Sequence, residues 1–345
     1  NWKPTTNMPS PLSYIGNQVI SAGNTLYVVG GVDMDQQVKY NSIFHATQGP
    51  DGQLGSWTKS PEYPGQGVSS SVALSTPGCI HLVAGSTEEK TGTSLVWTAL
   101  LAPDGSVAGW EPGPELPAAV WMHCGAVAAG YAWIWAGITN PQSEVYNDIL
   151  YRAPVQADGR LGPWQKMPAG LPKPYYYAAS GSLGDFLIAM CPRYSKTEVS
   201  DDVWFATAVP DGISDWKNLT TGVPPRLYLS IATDRKRGNV YLPGGRPQKS
   251  SYDMDPTVYF FPIAVPTEQE DIAEAPAATQ SSAMPEATKP VSEVTTAAAT
   301  AIPHPVQTEA PMIPDPAVAL TQAAFPEHFI TFAAAAAASA QAPRP

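Results

Sequence analysis

Charge is scarce in this chain: only 14% of its 345 residues are Asp, Glu, Lys or Arg, and 30 acids against 19 bases leave a net charge of −11. A surface so poor in Lys and Arg does not suit nucleic acid, whose phosphates demand clustered cations. The single basic cluster, Arg235-Lys236-Arg237, precedes Gly238-Asn239 and reads as charge beside a turn. Cysteine is rarer still. Cys79, Cys124 and Cys191 show no CxxC or metal-ligand spacing, which argues against a disulfide scaffold or a zinc site. Buried free thiols are expected; at most one pair could be bridged, and the sequence does not say which. No run of about 18 strongly apolar residues occurs, so no membrane-spanning helix is expected. Gly-rich phosphate loops, nucleophile elbows and paired zinc histidines are missing as well. No cofactor is expected.

Aromatics are missing from one part of the chain only. All ten Trp and all fifteen Tyr lie before residue 266, and none follows until Phe325. Residues 1–265 can therefore bury a large core, whereas the remainder has too little apolar bulk to offset its ordering entropy alone. Residues 266–316 are rich in Pro, Ala, Ser and Thr, the composition of an extended linker or stalk. Residues 317–345 are Ala-rich and hold two possible short helices, 317–325 and 327–342, marginal by themselves and suited to assembly or anchoring. The first residue is Asn, as expected of a processed chain, and Asn218-Leu219-Thr220 forms a glycosylation sequon.

What the chain has in abundance is repetition. Gly49-Pro50-Asp51-Gly52-Gln53-Leu54-Gly55-Ser56-Trp57 returns as Ala102-Pro103-Asp104-Gly105-Ser106-Val107-Ala108-Gly109-Trp110. It returns again as Asp158-Gly159-Arg160-Leu161-Gly162-Pro163-Trp164 and, shortened, as Asp211-Gly212-Ile213-Ser214-Asp215-Trp216. The Asp-Gly pairs start at 51, 104, 158 and 211, steps of 53, 54 and 53 residues. A fixed period near the upper edge of roughly 20–50 residues marks a solenoid, propeller or array.

Each unit runs from Trp to Trp and follows its Trp with a Pro-rich bend, an edge or connection because Pro cannot donate to a central ladder. A first short strand is then expected at 17–21, 69–74, 123–128, 176–180 and 228–232. The second strand is the most apolar, at 26–29, 79–83, 132–135, 186–189 and 240–242. A polar loop leads to a β-branched and aromatic third strand at 42–46, 94–98, 148–152, 202–206 and 257–261. The Pro-Asp-Gly turn then makes a hairpin into the Trp-bearing fourth strand. Four strands per unit in five units predict an all-β, five-bladed β-propeller, since each small sheet needs neighbours on both faces. The chain opens with a lone fourth strand at Trp2 and ends its repeats on a third, so the Trp2 strand is expected to complete the last blade.

The order of Pro-rich bend, Leu26-Tyr27-Val28-Val29-Gly30-Gly31, Tyr40-Asn41-Ser42-Ile43-Phe44 and Trp57 resembles kelch repeats over residues 1–265. The Asp-Gly-x-Leu-Gly-x-Trp signature is similar to the kelch-like repeats of secreted and cell-surface proteins. The Gly-Gly pair gives way to Ala84-Gly85, Ala136-Gly137 and Met190-Cys191 in the middle units, and the Arg common after the bend survives only as Arg226.

The phase-locked Trp residues read as packing, and His45 and His81 as structural histidines. The first strands carry no Asp or Glu, so the axial carboxylates of propeller glycosidases are not expected. One constellation stands out at the entry to the first strands: Tyr14, Trp121, His123, Tyr175, Tyr176, Arg226 and Tyr228. Aromatic faces beside polar groups suit sugar rings or peptides, although the same residues would also serve to cap the channel. The function expected is that of a non-catalytic extracellular or surface interaction protein whose tail tethers it into an assembly. Its partners would be proteins or further copies of itself, with glycans as the alternative.

Overall fold

The computed structural model describes residues 5–262 apart from 34–35, 37, 88–90, 141–144, 147, 168–170, 210, 220–221, 228–229, 235–237, 244 and 248–256. The expected strand at Trp2, the linker and the C-terminal helices lie outside the described residues. Among those described, every regular element is a β-strand, gathered into antiparallel sheets of two to five strands.

Five principal sheets follow one another along the chain. The first is Val19–Ala22, Thr25–Val29, Ile43–Thr47 and Thr58–Lys59, paired in that order. The second is Val72–Thr76, Cys79–Ser86, Gly92–Leu101 and Val107–Pro112. In the third come Cys124–Ala128, Tyr131–Trp135, Leu150–Pro154 and Gln165–Lys166. The fourth holds Ala179–Leu183, Phe186–Met190, Val203–Val209 and Lys217–Leu219, with the Gly212–Ile213 hairpin off its third strand. The fifth has three strands: Ala232–Asp234, Asn239–Pro243 and Val258–Pro262. The first strands of successive sheets are neighbours in space.

The repeated turn explains itself locally. Asp51, Asp104 and Asp158 each accept the backbone N–H two residues on, at 3.1, 2.9 and 3.1 Å. The Gly that follows takes a φ of 81°, 84° and 84°, a region closed to most side chains. The second and third turns also brace the preceding sheet. The Gly105 carbonyl accepts the Tyr27 hydroxyl at 2.7 Å, and the Gly159 carbonyl accepts Thr76 at 2.6 Å and lies 3.1 Å from His81 Nε2.

The Trp that ends each signature points at the bend before it. The indole N–H of Trp57 donates to the Thr6 carbonyl at 3.0 Å, Trp110 to Pro61 at 2.8 Å and Trp164 to Pro114 at 2.9 Å. For Trp216 the corresponding bend, 168–170, is outside the described residues. A backbone carbonyl at or before the Pro-rich bend, that of Thr6, Pro61 or Pro114, is thus the acceptor that fixes the Trp of three units.

The core lies between sheets rather than inside any one of them. One cluster joins Tyr27, Val29 and Ile43 to Ala73, Ile80 and Leu82; the next joins Val72 and Val83 to Ala132, Ile134 and Tyr151. A third joins Trp133, Trp135 and Leu150 to Leu187, Ala189 and Ala206, and a fourth Ile188, Met190 and Val203 to Val240 and Leu242. Each fully buried aliphatic or aromatic side chain contributes about 1.5–3 kcal/mol, all of it dependent on the neighbouring sheet. All three cysteines are free and buried, as expected.

Gly78 and Gly159 separate the two demands made on turn glycines. Both have positive φ, 73° and 84°, but a Cβ on Gly78 would meet nothing within 4 Å, whereas one on Gly159 would overlap the Pro77 carbonyl. Gly78→Ala should cost about 1–2 kcal/mol for the left-handed backbone alone. Gly159→Ala should cost at least about 1 kcal/mol more, because the backbone of the second sheet must move. Urea unfolding of the two variants checks this; equal losses would contradict it.

Candidate functional site

The feature that organises one end of the first strands is a set of left-handed residues that are not glycine. Tyr14, Ser70, Met122 and Tyr177 have φ of 59°, 53°, 51° and 58°. They are joined in sequence order by backbone hydrogen bonds. The N–H of Ser70 donates to the Tyr14 carbonyl at 3.1 Å, Met122 to Ser70 at 2.8 Å, and Tyr177 to Met122 at 2.8 Å. A non-glycine residue in this region costs of order 1–3 kcal/mol and persists only where its surroundings over-determine it. Here the three bonds between neighbouring units supply that constraint. The kink explains why the first strands begin at Val19, Val72, Cys124 and Ala179, a few residues later than the apolar pattern suggests.

A second set of left-handed residues faces them at the exit of the second strands. Gly30, Ala84, Ala136 and Cys191 take φ of 64°, 52°, 61° and 52°. The glycine that follows sends its N–H into the next unit: Gly31 to the Val68 carbonyl at 3.0 Å, Gly85 to Val120 at 3.0 Å, and Gly137 to Tyr175 at 2.9 Å. In the fourth unit the pair is Cys191-Pro192, one place later than the Met190-Cys191 expected, and Pro192 has no N–H to give. A Cβ on Gly31, Gly85 or Gly137 would meet the side chains of Ile15, Ser71 and His123 at 2.5, 2.6 and 2.8 Å. Glycine is therefore needed there in the first three units, even where Ala replaces its predecessor.

Polar side chains peg the units together below this level. Asn17 donates to the carbonyls of His123 at 3.2 Å and Ala178 at 3.1 Å, and accepts the Ser180 N–H at 3.1 Å. Buried Gln18 accepts the Ser71 N–H at 3.1 Å and donates to the Val29 carbonyl at 2.5 Å. Ser230 reaches back to the Gly16 carbonyl at 2.5 Å, joining the start of the fifth unit to the start of the first.

The residues expected at the entry fall into distinct roles. Tyr14 and Trp121 are half-buried at the surface, and the Trp121 indole nitrogen lies buried without a hydrogen-bond partner. Tyr176 is buried, stacked on Tyr146 at 4.7 Å and 12°, with the Arg193 guanidinium 5.5 Å from its centroid. Tyr175 belongs to the core between the third and fourth sheets. Its hydroxyl accepts the Trp135 indole N–H at 2.8 Å, and burial holds it well above the ordinary phenol range. Arg226 is only 1% exposed; its Nε donates to the Pro224 carbonyl at 3.3 Å and its guanidinium lies 4.4 Å from the Tyr259 centroid. It packs the fifth unit rather than presenting charge. Tyr228 lies outside the described residues. Asn218 is exposed on Lys217–Leu219, with its amide donating to Asp202 at 2.5 Å.

Three residues that belong to the entry were not singled out: the buried Ser70, and Met122 and Tyr177, both half-buried. Steps of 56, 52 and 55 residues separate 14, 70, 122 and 177, because bend lengths vary between units. Counting from the more regular Asp-Gly turns therefore misses the phase. Aligning the units on the Gly-Gly position would have found it.

Among the described residues no group of three or more His, Cys, Asp or Glu is placed to hold a metal ion. No helix among the described residues is long and apolar enough to cross a membrane.

No family model and no curated protein matches the chain. Among solved structures, one described as the structure of YjhT is similar, with a TM-score of 0.52 and 13% identity over 68% of this chain and 73% of that one. At that identity the likeness concerns the fold alone.

His123 gives the entry a measurable property. It is 1% exposed, and neither ring nitrogen has a hydrogen-bond partner of regular geometry. Burial lowers it to about 3, opposed in part by the Val83 carbonyl. His81, held by Thr76 and Thr98, is likewise lowered by burial, to about 4. In the unfolded chain both take up a proton near pH 6.5, while in the folded chain they stay neutral. Their contribution is intact above pH 6.5 and falls as pH drops toward the folded values, by roughly 2 kcal/mol each at pH 5. Urea unfolding at pH 7 and pH 5 should show a drop that His123→Ser reduces by about half. An unchanged drop would contradict the assignment.

Proposed function

We propose that this chain is a non-catalytic binding protein of extracellular or particle surfaces, built as a five-bladed β-propeller of kelch-like repeats. Each of the five principal sheets is a blade in this reading, and the left-handed residues ring one mouth of the axial channel. Four observations support the ring. The first strands are neighbours in order, each core cluster is shared by consecutive sheets, Asn17 bonds to the third and fourth units, and Ser230 bonds back to Gly16. The N-terminal segment supports closure too: Thr6 donates to the Leu54 carbonyl at 2.6 Å and Thr5 accepts the Leu54 N–H at 2.9 Å, which carries the chain start to the first unit's turn. A fourth strand supplied by Trp2 would then complete the fifth sheet.

The observation that carries the binding role is the strained quartet Tyr14, Ser70, Met122 and Tyr177, flanked by Trp121 and the Tyr146–Tyr176 stack. Backbone strain of this kind concentrates at ligand clamps. A rim of half-buried aromatics offers flat apolar area, and polar backbone and phenol groups at its edge give direction. This chemistry fits an extended peptide or a sugar ring. The half-buried Trp121 ring favours the glycan reading, because the apolar face of a sugar ring stacks on an aromatic face. The Pro-, Ala- and Thr-rich residues 266–316 serve as the tether.

The test is a screen of the purified chain against glycan and peptide arrays, followed by titration of the best hits. Trp121→Ala and Tyr177→Ala should each weaken binding at least tenfold, on the order of 1.4 kcal/mol or more, and leave the unfolding midpoint within a few degrees. Hits that ignore both substitutions, or blank arrays, would remove the mouth as the binding site.

A further inference from the structure

Beside the exit of its second strand, the second sheet carries a cavity of about 100 Å³. It opens between the outgoing and returning strands Cys79–Ser86 and Gly92–Leu101 and the segment that arrives from the first sheet. Val68, Leu82, Ala84, Leu95 and Trp97 make it apolar, and Thr93 stands at its polar rim. Trp97 is a fixed wall, stacked on Tyr63 at 5.5 Å between centroids.

The sheet is irregular just here. Its register shifts between Thr93 and Val96, and the Leu95 N–H turns back to the Thr93 hydroxyl at 3.1 Å. That bulge leaves Leu95 43% exposed, one of three large apolar side chains so exposed among the described residues. Bulges commonly re-aim a side chain beside a functional site. An exposed Leu next to an unfilled apolar hole is a surface that an apolar group would complete. The volume is smaller than the roughly 150 Å³ that admits benzene in an engineered core, so it fits the leading part of one phenyl ring or a branched aliphatic.

The chain itself supplies such a group. Residues 263–345 contain three aromatics, Phe325, Phe329 and Phe332, with Ile330 between them. No other stretch of this tail is comparably apolar apart from alanine. The 62 residues 263–324 that precede them, as a coil, would span roughly 45 Å root-mean-square. A body of about 265 residues has a radius of gyration of roughly 18 Å, so the aromatic segment reaches any part of its surface. A linker of this kind gives an effective concentration approaching millimolar, which favours the chain's own cavity over that of another copy in dilute solution. We infer that the segment 329–332 of this chain seats a phenyl ring in the cavity between Leu95 and Trp97, latching the far end of the tail to the second sheet.

Hydrogen exchange read by mass spectrometry tests the latch, on the full chain and on a chain ending at residue 324. Amides of 93–97 should exchange at least fivefold faster in the shorter chain. A peptide of residues 325–336 added at millimolar concentration should restore the slow rate. In the full chain, Leu95→Glu and the double variant Phe329→Ser/Phe332→Ser should each reproduce the truncation while the rest of the exchange map stays unchanged. Equal exchange in the two chains would overturn the inference. Protection that disappears on dilution, together with dimers in sedimentation, would overturn it in favour of a neighbouring copy as the occupant.

Discussion

Three backbone hydrogen bonds, Ser70 to Tyr14, Met122 to Ser70 and Tyr177 to Met122, connect four small sheets that could not stand alone. A sheet of four short strands has two faces and almost no interior of its own. Its apolar residues find cover only against the next sheet, so the spacing between sheets is the quantity on which stability rests. The left-handed residues set that spacing. They turn the chain sharply at the entry to four first strands, and Ser70, Met122 and Tyr177 aim an N–H at the preceding unit. The Gly31, Gly85 and Gly137 amides repeat the connection one level out. Strain at the first level is tolerated because the second holds the same units together.

Seen this way, the most conspicuous motif in the chain is structural. Asp-Gly closes its own turn, rests on the preceding sheet through Tyr27 or Thr76, and sends a Trp to the carbonyl of a Pro-rich bend. In the second and third copies the turn carbonyl and the Trp indole both have partners inside the fold. In the binding role proposed above, contact with a ligand falls to the positions where the repeats differ. Where one unit has Ser70 another has Met122 or Tyr177, on a backbone of the same shape. A scaffold that fixes backbone and varies side chain at one mouth can alter its ligand without altering its fold.

Much of this was legible in the sequence, and the parts that were not share a cause. The strands, their antiparallel order, the Asp-Gly turns and the packing role of Trp110 and Trp164 follow from periodicity, because they depend on neighbours within one unit. Residues whose role depends on two units were harder to read. Tyr175 looks like a surface aromatic beside Tyr176, yet its hydroxyl is held by Trp135 in the core. Arg226 looks like a free cation and is buried against Tyr259. Tyr14, Met122 and Tyr177 share a conformation that no composition reveals, since nothing about Tyr or Met favours positive φ. Bonds to a neighbouring unit impose it. His123 was grouped with the entry residues for the same reason: its burial comes from the second sheet, beside Val83.

The central claim, that the left-handed quartet ties the sheets together, is tested most directly by native-state hydrogen exchange of three amides. Those of Ser70, Met122 and Tyr177 sit outside the ladders of their own sheets. If the bonds between units hold the fold, they should exchange only through global unfolding, with the same free energy as Ile80, Ile134 and Ile188 in the second strands. Exchange at the rate of exposed turns such as Gly78 or Gly130 would mean that the sheets are held by side-chain packing alone, and the account given for the mouth would be wrong.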